Sequence, residues 1–181
     1  MPNNPPRTLP VPIPTAYWVR PGQLLAGGYP TMLHATRGRD HIDRFLDAGI
    51  TQFFDLTEAG EIPHTRAYPA LCMAAAAERG LSVQHRRFGV QDMDVPTAAE
   101  MVAILDALDA ALAERQRVYI HCYAGAGRTG TVVGCHLVRH GLSGPEALLH
   151  IEQLREAIPA IYWYPSPIRQ PQVDMVLRWS E

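Results

Sequence analysis

Val118-Tyr119-Ile120-His121-Cys122-Tyr123-Ala124-Gly125-Ala126-Gly127-Arg128-Thr129-Gly130 is the stretch whose reading decides the fold. Arg117–His121 reads as a short buried strand. The small residues after Cys122 read as a tight turn, and the apolar run from about Thr129 to His140 reads as a helix stopped by Gly141. A strand, a Gly-rich turn and a helix in that order are one half of a parallel crossover. Such units place functional loops at the C-terminal ends of strands.

The flanking sequence repeats this alternation. Upstream, Tyr17–Val19 and Leu24–Ala26 flank Pro21-Gly22 and predict a small hairpin. Arg39–Ala48 predicts a helix with Ile42, Phe45 and Leu46 inward and Gly49 as its stop. Ile50–Leu56 predicts a buried strand, Tyr68–Arg79 a helix closed by Gly80, and Leu81–Arg86 another strand. Thr97 and Glu100 form a capping box, and Ser143 and Glu146 a second one; each opens a helix. Gln172–Trp179 predicts a last short helix. The pattern is α/β: a mainly parallel central sheet of about four to five strands flanked by helices. Prolines at 2, 5, 6, 10, 12 and 14 make residues 1–16 an extended or flexible tail, leaving 17–181 as a single domain.

The turn itself is an anion cradle with a nucleophile at its base. Small residues let successive backbone N–H groups face one oxyanion. The helix that follows adds free N–H groups and the positive end of its dipole. Arg128 can hold two phosphate oxygens at once. The same field stabilises a thiolate at Cys122.

Composition narrows the chemistry. The chain has 181 residues, 47% of them hydrophobic and 19% charged, with a net charge of −2. Its sixteen basic residues are all arginine. Without a lysine there is no P-loop lysine, no kinase strand lysine and no Schiff base. The charge balance gives no general attraction to nucleic acid or to an anionic membrane. Three cysteines, Cys72, Cys122 and Cys135, do not make a disulfide framework. With no apolar run of about 18 residues and no basic-then-apolar leader pattern, a reducing, cytoplasmic setting is expected.

His-Cys, five residues, then Arg-Thr resembles the signature of the cysteine-dependent protein tyrosine phosphatase superfamily, in its compact dual-specificity-like branch. The resemblance covers roughly residues 17–180 and implies that branch's three-layer phosphatase domain. It implies Cys122 as nucleophile through a phosphocysteine intermediate. It implies a phosphate site made by the amides of Tyr123, Ala124, Gly125, Ala126, Gly127 and Arg128 with the Arg128 guanidinium. Thr129 would hydrogen-bond the thiolate, and His121 would set the loop from behind. Asp92 in Asp92-Met93-Asp94-Val95-Pro96 stands where the family carries its general acid, with Asp94 as the alternative; the family's usual Trp-Pro is replaced by Val90-Gln91. Glu58 would orient Arg128, and Gln172 matches a glutamine that positions water.

The implied substrates are phosphorylated proteins or small phosphomonoesters, phosphotyrosine first and phosphoserine or phosphothreonine next. The alternatives are a phosphoinositide or inositol phosphate substrate, or a catalytically silent phosphate-binding module. Neither a cofactor nor a metal is implied. Arg86 and Arg87 are either rim charges of the pocket or exposed strand-end residues. Cys72 and Cys135 are either core residues or resolving thiols for Cys122. Two further patterns are set aside. Gly125 to Gly130 matches a dinucleotide-binding glycine pattern, but too little chain follows it for the required strands. His136 and His140 have zinc-ligand spacing, but lack the metalloprotease glutamate between them.

Overall fold

A computed structural model describes residues 9–32, 38–64 and 67–181. Five short strands form one sheet: β1 (Tyr17–Arg20), β2 (Leu24–Gly27), β3 (Gln52–Asp55), β4 (Gln84–Arg87) and β5 (Val118–His121). The order across it is β1-β2-β5-β3-β4. β1 and β2 pair antiparallel as the hairpin around Pro21-Gly22, while the remaining pairs are parallel. The helices are α1 (Gly38–Asp47), α2 (Pro69–Glu78), α3 (Ala98–Ala113), α4 (Gly127–Arg139), α5 (Gly144–Leu154) and α6 (Gln170–Arg178), with a 3-10 turn at Ala160–Tyr162.

Strand periodicity divides the core into two layers. Val118 and Ile120 of β5 face one side with Leu24, Ala26 and Phe54. They pack against residues of α3, α4 and α5, such as Leu105, Val133 and Ile151. Tyr119 faces the other side with Leu25 and Phe53, against Ile42 and Phe45 of α1 and Ala75 of α2. The result is a three-layer α/β domain.

Register then positions the site. Gly27 pairs with His121, His121 with Asp55, and Asp55 with Arg87. These four residues form a row across the C-terminal edge of the sheet. Cys122 follows directly at the end of the fully buried central strand.

Several sequence expectations shift. The strand expected at Leu81–Arg86 forms later, at Gln84–Arg87, and is an exposed sheet edge. It takes its register from β3 rather than from its own apolar residues. α4 begins at Gly127, which places Arg128 in its first turn. The expected tail is part of the core from its second half on: Ile13, Thr15 and Ala16 are buried, and Ile13 packs with Phe45 and Phe53. Residues 1–8 of that tail lie outside the described residues. Arg86 lies over the rings of Phe54 and Phe88, and Arg87 is bound to Asp55, so neither is a free rim charge.

Both capping boxes are formed. Thr97 and Ser143 each accept from the third helical N–H, and Glu100 and Glu146 reach back to the cap N–H. Thr97→Ala and Ser143→Ala should each lower unfolding stability by about 1 kcal/mol. As the caps open different helices, the double variant should lose about the sum in urea titrations.

Candidate active site

The loop from Cys122 to Arg128 is held open by bonds to its outward-facing carbonyls. His121 Nδ1 lies 3.2 Å from the Cys122 carbonyl. Tyr29 N–H donates to the Tyr123 carbonyl at 2.8 Å. Ser166 Oγ donates to the Ala126 carbonyl at 2.8 Å. In a planar trans peptide the N–H points opposite to the carbonyl. The N–H groups of Tyr123, Ala124 and Gly127 therefore point to the inner side of the loop, as an anion cradle requires.

Gly125 is required twice over. Its φ is +77°, in the left-handed region, and a Cβ there would lie 2.3 Å from the Gly27 carbonyl carbon. Cys122 sits at the base of the loop, 3% exposed.

Arg128 closes the cradle. Its guanidinium forms a two-bond fork with Glu61, both contacts at 2.7 Å, and also donates to the Val90 carbonyl at 2.9 Å. Its Nη2 lies 2.9 Å from Asp92 Oδ1. Burial works against the Glu61 charge, but the bonds from Arg128 outweigh it and hold the carboxyl below its usual range. Asp92, mostly exposed, thus reaches Arg128 from the loop after β4. Asp94 is engaged elsewhere. Its Oδ1 accepts from Val95 N–H and its carbonyl accepts from Gln172. Met93 between them has φ 63°, against the preference of a side-chain-bearing residue.

A polar network supports the loop from behind. Asp55, fully buried, accepts from the Thr57 backbone and hydroxyl, and from His85 and Arg87. Burial alone would raise its pKa, yet His85, His121 and Thr57 together hold it well below the usual carboxylate range. His121 is driven the other way, down to about 4, chiefly by burial. It is a neutral imidazole. The Cys122 carbonyl can only accept, so Nδ1 carries the proton and Nε2 accepts from the Tyr68 hydroxyl at 2.7 Å.

Cys72 lies on the opposite face of the sheet from Cys122. Burial pushes both Cys72 and Cys135 up to about 12, which makes each a poor resolving thiol. A cleft of about 320 Å3 lies beside the loop, lined by Tyr29, Met32, Glu61, Ile62, Pro63, Asp92 and Tyr123.

The family model for the Swiss Army Knife protein, DSP-PTPase phosphatase domain matches residues 14–166. The chain belongs to that family. It is a dual-specificity-like member of the protein tyrosine phosphatase superfamily. Among curated proteins it is 26% identical over 86 residues to tyrosine-protein phosphatase CDC14 of Candida albicans, covering 45% of this chain and 16% of that protein. It is 30% identical over 103 residues to protein tyrosine phosphatase domain-containing protein 1 of Mus musculus, covering 54% of this chain and 13% of that protein. The chain thus spans under a fifth of those relatives' length. Among solved structures, Tk-PTP in its active form superposes with a TM-score of 0.65 at 24% identity, over 91% of this chain and 95% of that one. PTPMT1 in complex with PI(5)P gives 0.63 at 24% identity, over 86% and 88%.

In this phosphatase domain the expected residues Cys122, Tyr123–Arg128 and Asp92 converge on one loop. One supporting assignment is corrected. Glu58 is exposed and gives only its backbone N–H to Glu61, and Glu61 is the carboxylate that forks with Arg128. The turn at Ala59-Gly60 swings Glu61 inward, which is not legible before the chain folds. Thr129 Oγ1 donates to the Gly27 carbonyl at 3.4 Å, so its bond braces the loop against β2. Gln172 is buried beside Gly127. Its oxygen accepts from Ile168 and Arg169 N–H and its nitrogen donates to Asp94, tying α6 to the acid loop. Tyr68 and Ser166 complete the support and carry no motif that marks them in the sequence.

Two measurements check this network. His121 and His136 are both lowered from an ordinary 6.5 to about 4, mainly by burial. Below pH 6.5 the unfolded chain takes up protons that the folded chain does not, so stability falls with pH. Urea midpoints should be level near pH 7. Between 6.5 and 4 the unfolding free energy from these titrations should drop, by about 1 kcal/mol per pH unit for each ring; a flat profile would contradict the burial of two neutral rings. Tyr68→Phe should cost about 1–3 kcal/mol, because it strands the buried His121 Nε2 acceptor.

Proposed function

We propose that the protein is a metal-independent phosphomonoesterase acting on phosphoprotein, phosphotyrosine first, through a phosphocysteine intermediate. The observation that carries this reading is the ion pair between Asp92 and Arg128, the arginine that closes the loop with Cys122 buried at its base. A phosphate bound by the loop amides takes the Nη2 position that Asp92 holds, while Glu61 keeps its two-bond fork, and the displaced Asp92 carboxylate takes up a proton from solvent. Cys122 Sγ attacks phosphorus, and the bond to the leaving oxygen breaks as Asp92 delivers a proton to that oxygen. Water then attacks the phosphocysteine and gives its proton to Asp92. The P–S bond breaks, and inorganic phosphate leaves with the thiolate restored. The loop amides and Arg128 stabilise the charge on the equatorial oxygens in both steps.

The walls favour an aryl phosphate. Tyr29, Met32, Ile62, Pro63 and Tyr123 offer ring and aliphatic surface. The charged residues among the described lining are both acidic, Glu61 and Asp92. Among the described lining residues, a substrate with additional phosphates meets these two carboxylates.

Cys122→Ser should abolish turnover of an aryl phosphate while vanadate still binds; normal turnover by that variant would overturn the proposal. Asp92→Asn should slow poor leaving groups about 100-fold or more and good ones far less. If Asp94→Asn gives that pattern instead, the acid is misassigned. Initial rates on phosphotyrosine, phosphoserine and phosphothreonine peptides and on a phosphoinositide rank the substrate classes. A phosphoinositide preference would replace the phosphotyrosine reading.

A further inference from the structure

Away from the catalytic loop, towards the far end of α4, three side chains from two helices converge. His136 and His140 stand one turn apart on α4 and its C-cap, with ring centroids 4.4 Å apart. Asp109 of α3 faces both. Its Oδ1 is 3.5 Å from His136 Nδ1 and 2.9 Å from His140 Nε2. One ligand atom from each residue lies within 4.8 Å of the other two.

The set has the features of a built site. His136 is 2% exposed, and its Nδ1 has no hydrogen-bond partner among the described residues. That nitrogen is directed at the shared carboxylate without bonding to it, which is costly for a buried polar atom. The carboxylate is itself oriented: Asp109 Oδ2 is bound by Arg139 at 3.1 Å, which leaves Oδ1 for the two rings. Arg139 is fixed in turn by Asp106 at 2.9 Å and Glu181 at 2.5 Å. Outer contacts of this kind orient a metal-binding carboxylate. The 3.5 Å separation is close to the edge of a zinc coordination tetrahedron, about 3.3 Å for donors at 2.0–2.1 Å.

We propose that Asp109, His136 and His140 bind a divalent transition metal ion, zinc by chemistry, at a site separate from the phosphatase centre. Two imidazoles and one carboxylate select zinc-like ions over magnesium or calcium, which prefer all-oxygen sets. The ion takes the lone pair of His136 Nδ1. It also replaces the hydrogen bond between His140 and Asp109, with the His140 proton carried on Nδ1. His140 is about half exposed, so the fourth position is open to solvent. The ion's place in the fold is a clamp between α3 and the end of α4, the helix whose first turn carries Arg128.

The test uses full-length, chelator-stripped protein carrying Cys122→Ser, which removes the catalytic thiol as a competing zinc ligand. Zinc titrated against a chromophoric chelator should bind at one equivalent and raise the thermal midpoint. Magnesium should do neither. His140→Ala and Asp109→Asn in the same background should each weaken zinc binding at least tenfold and remove the thermal shift. His140 is partly exposed, so its replacement leaves the fold intact and keeps the test decisive. Failure of the Cys122→Ser protein to bind zinc, or binding unchanged in both variants, would overturn the proposal. Neither result bears on the phosphatase reading, which rests on other residues.

Discussion

A buried guanidinium is tolerated only where acceptors replace its lost water, and Arg128 meets that condition through acceptors from two other segments. Glu61 comes from the turn after β3. The Val90 carbonyl and Asp92 come from the loop after β4, and the arginine itself from the first turn of α4. An unpaired charge at this depth would cost several kcal/mol. Its satisfaction therefore holds three loops in register at one edge of the sheet. The same constraint explains why the acid meets the cradle at all, since Asp92 is exposed and has few other anchors.

The rest of the loop follows from peptide geometry. A short turn can face its N–H groups inward only if its carbonyls find partners outside. Here those partners come from distant parts of the chain: Tyr29, His121 and Ser166. The Asp55 network sits beneath them and combines a carboxylate kept charged with an imidazole kept neutral. Burial penalises both charged forms, and the neighbours decide which one survives. Asp55 has hydrogen-bond donors on both oxygens, whereas His121 is placed between a carbonyl and a phenol that suit the neutral ring.

Much of this was legible in the residues. Glycine stops, two capping boxes and the 3.6-residue spacing located the helices because those signals act within a few residues. The Cys122–Arg128 loop was legible because one contiguous segment carries the cysteine, the amides and the cation. The edge strand was placed too early because β4 takes its register from β3. The exchange of Glu58 for Glu61 has a related cause. Both acids stand in one turn, and only the path of the chain through Gly60 decides which points inward. Ile13 read as tail because its proline neighbours hide the contact it makes with Phe45 and Phe53.

The sequence by itself determined the fold class, the phosphatase family and the residues that make up the central loop, since each depends on neighbours close along the chain. Only the tertiary structure decided which carboxylate holds Arg128, that Asp92 rather than Asp94 reaches it, and where Thr129 spends its hydroxyl. It also brought Asp109 to the pair His136 and His140, which the sequence showed as two histidines without a third ligand. These are contacts between segments tens of residues apart. Local propensity carries no information about them until burial and charge satisfaction have fixed the packing.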